Sequence, residues 1–283
     1  MRRFELAEPA TLSEACALLS DNEDAKVIAG GTALLTLIKQ GIFIPKTLIN
    51  LKKIQTASDI SYDAHKGLRV GALAAIYDIE ASPVVRQYYP VLAEACHVVA
   101  NIRIRNMATI GGNLAHGDYQ SDPPTVLLAL DASVELLSRA GTRQMKLGDF
   151  LKGSYETALE PGELVSALLV PPAGDLRGSY TKFTTGSSEE RPCVGIAALA
   201  RMAEGVCGEL RLVAGAVSPT PVRLRGGESM ARGEKLTHEL IEGIAQDAGR
   251  NVDPIDDLRG SADYKRHLVR VLTRRTLSAL AEL

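Results

Sequence analysis

The stretch MATIGGNLAHGDYQSDPPTVLLALDA, residues 107–132, is the part of the chain around which the rest is interpreted. Gly111 and Gly112 follow Thr109, and the sequence Asp-Pro-Pro at 122–124 leads into an apolar run that can form a helix. Because glycine has no Cβ, consecutive backbone N–H groups can point to one side and form a concavity. The first half of the stretch therefore predicts a binding site for a phosphate or diphosphate.

A second diglycine turn lies upstream, in KVIAGGTALL at residues 26–35. This pattern predicts a short strand, a turn at Gly30-Gly31-Thr32, and the first turn of a helix, where backbone N–H groups again face outward. The strand predicted at 45–51 completes a βαβ unit with parallel pairing. Two turns that each suit a diphosphate indicate a dinucleotide ligand.

Composition limits the class of protein. The 283 residues carry a formal net charge of -2, which argues against non-specific binding to nucleic acid or to an anionic membrane. The sequence shows neither the continuous apolar core of a signal peptide nor a membrane-spanning run, so we predict a cytoplasmic protein with no transmembrane segment. The four cysteines are far apart and form no CxxC pair, which places any iron–sulfur cluster in another chain.

The best domain boundary is the segment 171–178, which is rich in proline and glycine. We predict one domain over residues 1–175, with the βαβ unit and a mixed sheet, and a second domain over residues 176–283. Short glycine-bearing turns between three strand-like segments favour a small antiparallel three-stranded sheet in the second domain, and the apolar spacing that follows is helical. The predicted fold class is α+β.

Five segments of the chain have a recognisable combination and order. The segments are AGGTALL at 29–35, IRNMATIGGNLAHGD at 104–118, SDPPTVLLALDA at 121–132, GELVSALLVPP at 162–172, and YTKF with VGIAAL within 180–199. Together they resemble the FAD-binding medium subunit of the molybdenum hydroxylases, a family that includes bacterial carbon monoxide dehydrogenases, nicotinate dehydrogenases and the flavin domain of xanthine dehydrogenase. The resemblance covers nearly the whole chain in the right order, and two diglycine motifs with a downstream acidic site are more specific than either motif alone.

The resemblance implies a two-subdomain FAD-binding domain that holds FAD noncovalently through two loops. A lysine in the YxK position near the flavin corresponds to Lys182, whose charge would favour the reduced, anionic flavin. The residues assigned to the cofactor by the resemblance are Val27, Ile28, Ala29, Gly30, Gly31, Thr32, Ala33 and Leu34 in the first loop, Thr109, Ile110, Gly111, Gly112 and Asn113 in the second, and Asp122 and Lys182 downstream.

The resemblance also implies the activity and the partners. The chain would be an electron-transfer subunit of an oxidoreductase, with a large molybdenum-cofactor subunit and a small subunit that carries two two-iron two-sulfur clusters, assembled as a dimer of heterotrimers. No catalytic residue and no metal ligand is assigned to this chain itself. Two other functions stay open: a self-sufficient FAD-dependent oxidoreductase that acts directly on a small molecule, and a scaffold that has lost the cofactor. Neither the organic substrate nor the terminal electron acceptor is assigned by any motif.

Several residues keep a second interpretation. Asp122 can cap the helix that follows it. His116 can be a covalent flavin attachment point, although noncovalent binding is the prediction. Arg103 and Arg105 can approach an anion or lie on a solvated edge. The chain departs from the family at residues 190–193, Glu-Arg-Pro-Cys, so this stretch is left without a role.

Overall fold

The computed structural model describes residues 3–282, which form two compact units. Unit 1 comprises the described residues up to Val84 together with Asn101–Asp118 and Ala132–Pro172. Unit 2 comprises Val85–Ala100, Tyr119–Asp131 and the described residues from Ala173 onward. Unit 2 thus includes two segments that precede residue 175, and the division into domains 1–175 and 176–283 stays a prediction.

The elements of both units are numbered here in chain order. The strands are β1 (Glu5–Ala7), β2 (Ala25–Ile28), β3 (Thr47–Asn50), β4 (Ile60–Asp63), β5 (Gly67–Gly71), β6 (Ser133–Ser138), β7 (Gly141–Lys146), β8 (Leu151–Gly153), β9 (Glu156–Thr157), β10 (Leu164–Val170), β11 (Arg177–Phe183), β12 (Val194–Ala203), β13 (Val206–Gly215), β14 (Val222–Arg223) and β15 (Glu234–Lys235). The helices are α1 (Leu12–Asp21), α2 (Leu34–Lys39), α3 (Ile76–Ala81), α4 (Pro83–Tyr88), α5 (Pro90–His97), α6 (Ile102–Arg105), α7 (Ile110–His116), α8 (Asp122–Ala129), α9 (Leu147–Phe150), α10 (Arg225–Ala231), α11 (His238–Arg250) and α12 (Ala262–Ala281). The mixture of helices and strands confirms the predicted α+β class.

The first sheet of unit 1 has the order β1-β3-β2, and both strand pairs are parallel. The predicted βαβ unit is confirmed, because α2 connects β2 to β3. Thr11 is the N-cap of helix α1: its Oγ1 accepts from the N–H of Glu14 at 3.1 Å, and the Glu14 carboxylate accepts from the N–H of Ala10, one residue before the cap, at 2.8 Å. The sheet and α1 hold the turn that follows β2 in a fixed place.

The second sheet of unit 1 has the order β4-β5-β10-β6-β7, and each of its pairs is antiparallel. The prediction of a mixed sheet is therefore wrong for this sheet. The physical reason is that β10, although late in sequence, lies between β5 and β6 and runs opposite to both. Its sequence LVSALLV is buried at six of seven positions, as expected for a central strand with both faces covered.

A buried carboxylate ties β7 to the start of β10. Arg143 donates from Nε and Nη2 to the two Glu163 oxygens at 2.7 Å each, and the Glu163 side chain is 7% exposed. The hydrogen bonds from Arg143 lower the pKa of Glu163. A carboxyl group with a lowered pKa in the folded state stabilises the fold above its unfolded pKa, and this stabilisation is lost as pH falls through the folded pKa.

Glu163→Gln is therefore expected to lower the free energy of unfolding at pH 7. The difference from wild type should become small below about pH 4, near the ordinary carboxyl pKa, because wild type loses the same stabilisation there. Urea unfolding measured from pH 7 to pH 3 tests this expectation. Glu160→Gln is the matched control, because Glu160 lies 3.8 Å from the same arginine but is 73% exposed. A deficit for Glu163→Gln that does not change with pH would contradict the interpretation.

Unit 2 is built on an antiparallel sheet with the order β11-β12-β13-β14, and β15 also pairs with β13. The predicted antiparallel meander is confirmed, with β14 and β15 as additional strands of two residues each. Alternate residues of β12, from Val194 to Ala200, form a core with α11 and α12. Helix α8 contacts β12 and β13, and α5 contacts α8 and β11. Asp131, just after α8, accepts from Arg211 and Arg223 and so ties the end of α8 to β13 and β14.

Within residues 3–282, no helix combines the length and the apolar character needed to cross a membrane.

Candidate functional site

The first diglycine loop follows directly from β2. Val27 and Ile28 are half-buried strand residues paired with Ile49 and Asn50 of β3, so they aim the loop as predicted. Gly31 has a φ of +71°, a left-handed conformation that only glycine adopts without strain, and it turns the chain into α2. Residues 29–34 are half-buried throughout.

Backbone N–H groups of the first loop are free to bind an anion. From Gly30 to Leu34, five consecutive N–H groups donate no hydrogen bond to any acceptor in the described part of the chain. Buried N–H groups of a folded protein are nearly always paired with protein, water or a ligand, and the first N–H groups of a helix such as α2 have no partner within the helix. A run of five in one turn is therefore a site that fits a negatively charged group such as a diphosphate.

The structure brings the two predicted loops together. A Cβ on Gly30 would lie 1.7 Å from the carbonyl oxygen of Met107, two residues before Thr109. The backbone of the first loop thus contacts the start of the second loop directly, which only glycine permits at this position.

The second loop is organised differently from the sequence-based expectation. Its N–H groups do not form an open concavity, because four consecutive ones are used inside unit 1. The donors and acceptors are Ile110 to the carbonyl of Ala74, Gly111 to the carbonyl of Ala72, Gly112 to Thr109 Oγ1, and Asn113 to the carbonyl of Thr109.

The glycines of the second loop serve packing instead. A Cβ on Gly111 would lie 2.5 Å from the Cβ of Ala72, so this glycine allows α7 to approach the segment after β5. Thr109 is the N-cap of α7, which explains its hydroxyl at this position. The expectation that these N–H groups face an anion is corrected: the free N–H groups belong to the first loop, and the second loop supports it.

Asp122 and Lys182 meet in unit 2. Lys182 Nζ donates to Asp122 Oδ2 at 3.0 Å and to the carbonyl of Val98 at 2.8 Å, and the two side chains are 6% and 5% exposed. Asp122 is the first residue of α8, whereas the N-cap position belongs to Ser121. The positive charge of Lys182, which was expected to favour the anionic flavin, is therefore paired with a buried carboxylate.

Tyr180 is the residue that sequence reasoning missed. Its hydroxyl donates to Asp122 Oδ1 at 2.8 Å. Burial, together with the Asp122 charge, raises the pKa of Tyr180 well above its usual value, so the hydroxyl stays protonated and remains a donor. The available signal was the alternation in a strand: Tyr180 and Lys182 are two residues apart and share one face of β11.

Other candidate residues have structural roles. Arg105 donates from Nε to Glu80 at 2.8 Å in a buried ion pair, which makes it a part of unit 1. The His116 ring lies 5.2 Å from the Tyr155 ring at a tilt of 60°. Cys193 is buried, and its Sγ donates to the carbonyl of Arg259 at 3.4 Å.

Comparison with known proteins agrees with this arrangement. The model of the FAD binding domain in molybdopterin dehydrogenase matches residues 2–173, and the model of the CO dehydrogenase flavoprotein C-terminal domain matches residues 179–280. The chain is 32% identical over 278 residues to the carbon monoxide dehydrogenase medium chain of Hydrogenophaga pseudoflava, with 98% of this chain and 96% of the relative covered. It is 29% identical to the glyceraldehyde dehydrogenase medium chain of Sulfolobus acidocaldarius, with 98% of each chain covered.

Solved structures give the same result. A structure of carbon monoxide dehydrogenase from Hydrogenophaga pseudoflava matches with a TM-score of 0.94 and 32% identity, covering 98% of this chain and 97% of that chain. Quinoline 2-oxidoreductase from Pseudomonas putida 86 matches with a TM-score of 0.94 and 29% identity, covering 99% and 98% of the two chains. This chain therefore belongs to the family of FAD-binding medium subunits of molybdenum hydroxylases.

Proposed function

We propose that this chain binds FAD noncovalently and passes electrons from the two-iron two-sulfur clusters of a small partner subunit to an external acceptor. A large partner subunit with the molybdenum cofactor would oxidise the organic substrate. The observation that carries the proposal is the run of five unpaired N–H groups from Gly30 to Leu34 in a chain of this family. When bound, FAD accepts electrons singly and delivers two, which suits a relay between iron–sulfur clusters and a two-electron acceptor.

The loops act on the diphosphate through the backbone. Val27 and Ile28 position the loop, and residues 30–34 supply N–H donors around the left-handed turn at Gly31, where the half-buried surroundings strengthen hydrogen bonds to an anion. Residues 109–113 keep the turn in place through the contact of Gly30 with Met107, and Thr109 completes the cap of α7. Thr32 and Asn113 offer side chains of the hydrogen-bonding type that a dinucleotide needs.

We assign Asp122 and Lys182 to the flavin as a separate part of the proposal, supported by the family resemblance. Because the two charges are 3.0 Å apart, they would act on the flavin as a fixed dipole and not as a single cation. Such a preorganised pair does not reorganise when electrons arrive, which keeps the electrostatic environment constant.

Partners are proposed from the relatives. These are medium chains or FAD subunits of dehydrogenases and hydroxylases, and one structural relative is described as a Cu,Mo-CO dehydrogenase. We propose a heterotrimer of large, medium and small subunits that dimerises, located in the cytoplasm.

The FAD site is tested by the double variant Gly31→Val with Gly111→Val, purified with its complex. Valine at Gly31 is strained at a φ of +71°, and a Cβ at Gly111 would clash with Ala72. We expect complete loss of FAD from the purified protein while hydrogen exchange of β12 and β13 in unit 2 is unchanged. Gly41→Val is the matched control, because Gly41 has a φ of +73° but nothing within 4 Å of a Cβ. Full FAD occupancy in the double variant would refute the site.

The relay is tested by affinity purification of the natively expressed chain, followed by visible spectra and metal analysis. Co-purification of a large and a small chain with flavin, iron and molybdenum would support the proposed subunit role. A yellow, metal-free, solitary protein that turns over a small molecule would instead support the self-sufficient flavoenzyme. A colourless protein that does not bind added FAD would support the scaffold.

A further inference from the structure

We propose that Tyr180 is a positioning residue of the flavin site: its hydroxyl fixes the Asp122 carboxylate and offsets part of its negative charge, and it thereby sets the reduction potential of the bound flavin. The proposal rests on the proposed function, because it takes Asp122 and Lys182 as flavin contacts. It adds a residue that acts on the cofactor only through Asp122.

The geometry gives Asp122 two donors from one strand. Tyr180 Oη donates to Oδ1 at 2.8 Å, and Lys182 Nζ donates to Oδ2 at 3.0 Å. Since the two donors are two residues apart in β11, they face Asp122 from the same side of the sheet. Two hydrogen bonds to the two oxygens of one carboxylate define the plane of that carboxylate.

Tyr180 is itself held firmly. Its backbone N–H donates to Glu94 Oε2 on α5 at 3.1 Å, and its side chain is buried. The ring passes over Gly195 of β12, where a Cβ would lie 2.4 Å from Oη and 3.1 Å from two ring carbons. Gly195 therefore provides the space in which the hydroxyl reaches Asp122.

The sign of the effect follows from the charges. The hydroxyl directs the positive end of its dipole at the carboxylate, so its removal makes the local potential more negative and disfavours electron uptake by the flavin. Loss of the carboxylate charge has the opposite sign. We therefore expect Tyr180→Phe to lower the flavin midpoint potential and Asp122→Asn to raise it.

The experiment is a double-mutant cycle on the purified complex: wild type, Tyr180→Phe, Asp122→Asn and the double variant, with the flavin midpoint potential measured by redox titration at one pH. If Tyr180 acts through Asp122, the Tyr180→Phe shift falls to less than half in the Asp122→Asn background. Tyr264→Phe is the control, because the Tyr264 hydroxyl makes no hydrogen bond within the described residues. The flavin midpoint potential of this variant should equal that of wild type.

A second variant keeps the test decisive if Tyr180→Phe does not fold. Gly195→Ala leaves the hydroxyl in the protein but displaces it from Asp122, so it should lower the potential as well. An unchanged potential in both variants, or equal Tyr180→Phe shifts in the two backgrounds, would overturn the inference. If the wild-type complex holds no FAD, both the proposed function and the inference about Tyr180 are wrong. If every variant holds FAD and the shifts in the flavin midpoint potential are additive, only the inference is wrong.

Discussion

Lys182→Met is expected to lower the free energy of unfolding by about 3–5 kcal/mol, the usual cost of removing one partner from a buried ion pair. Lys182 and Asp122 are 6% and 5% exposed, so the substitution leaves a buried carboxylate without its cation. Urea unfolding, followed by a signal from unit 2, measures the loss. The matched control is Lys46→Met, because Lys46 makes an ion pair with Asp24 at 2.6 Å but is 79% exposed. Exposed pairs contribute little, so the control should unfold close to wild type.

A double replacement separates the charge from the packing. Lys182→Met combined with Asp122→Leu should recover part of the lost stability, because no buried charge is left unpaired, although the Tyr180 hydroxyl loses its acceptor. Lys182→Met also removes a positive charge from the proposed flavin site, so the flavin potential should fall as well. Equal stability losses in Lys182→Met and Lys46→Met would contradict the buried pair.

Lys265→Met is expected to have the second-largest effect, a loss of about 3 kcal/mol. Lys265 on α12 is 1% exposed and donates from Nζ to Asp257 Oδ1 and to the carbonyl of Ile255, each at 2.8 Å. This loss is at the low end of the range for a buried ion pair, because the Asp257 side chain is 18% exposed and its carboxylate can be solvated by water when the lysine is removed. The backbone N–H of Arg259 donates to Asp257, so its hydrogen exchange should be faster in Lys265→Met than in wild type.

The pH dependence of this pair has a defined sign. Burial raises the pKa of Asp257, but the hydrogen bonds from Lys265 and from the N–H of Arg259 outweigh it, so the pKa is lowered. A lowered pKa means that the stabilisation is present above the ordinary carboxyl pKa and disappears in acid. The deficit of Lys265→Met should shrink below about pH 4. The exposed Lys235→Met serves as the control in the same unit, and a comparable loss there would contradict the prediction.

The sequence correctly predicted those secondary-structure elements that are determined by residues close together in the chain. The βαβ unit followed from KVIAGGTALL and the strand after it, and the cap of α1 followed from Thr11 and Glu14. The antiparallel order of the second sheet was not predictable in this way. The antiparallel order arises because β10 lies between β5 and β6, and contacts between residues far apart in sequence determine this position.

The candidate site shows the same limit. The sequence indicated both glycine loops, but it did not show that the carbonyls of Ala72 and Ala74 use the N–H groups of the second one. The sequence-based prediction assigned Asp122 and Lys182 to FAD separately and did not indicate that they form an ion pair with each other. Their ion pair joins residues 60 positions apart, and only the packing of α8 on the sheet of unit 2 brings them together.

The interleaving of the two units restricts how this subunit can be recombined with its relatives. Helices α5 and α8 come early in the chain, yet they pack with β11, β12 and β13 in unit 2. A fragment that starts near residue 175 would expose the sheet surface that α8 covers. Chimeras joined only at Pro171-Pro172 would combine helices from one parent with a sheet from another. A transplantable cassette must therefore contain residues 85–100 and 119–131 as well as the C-terminal sheet.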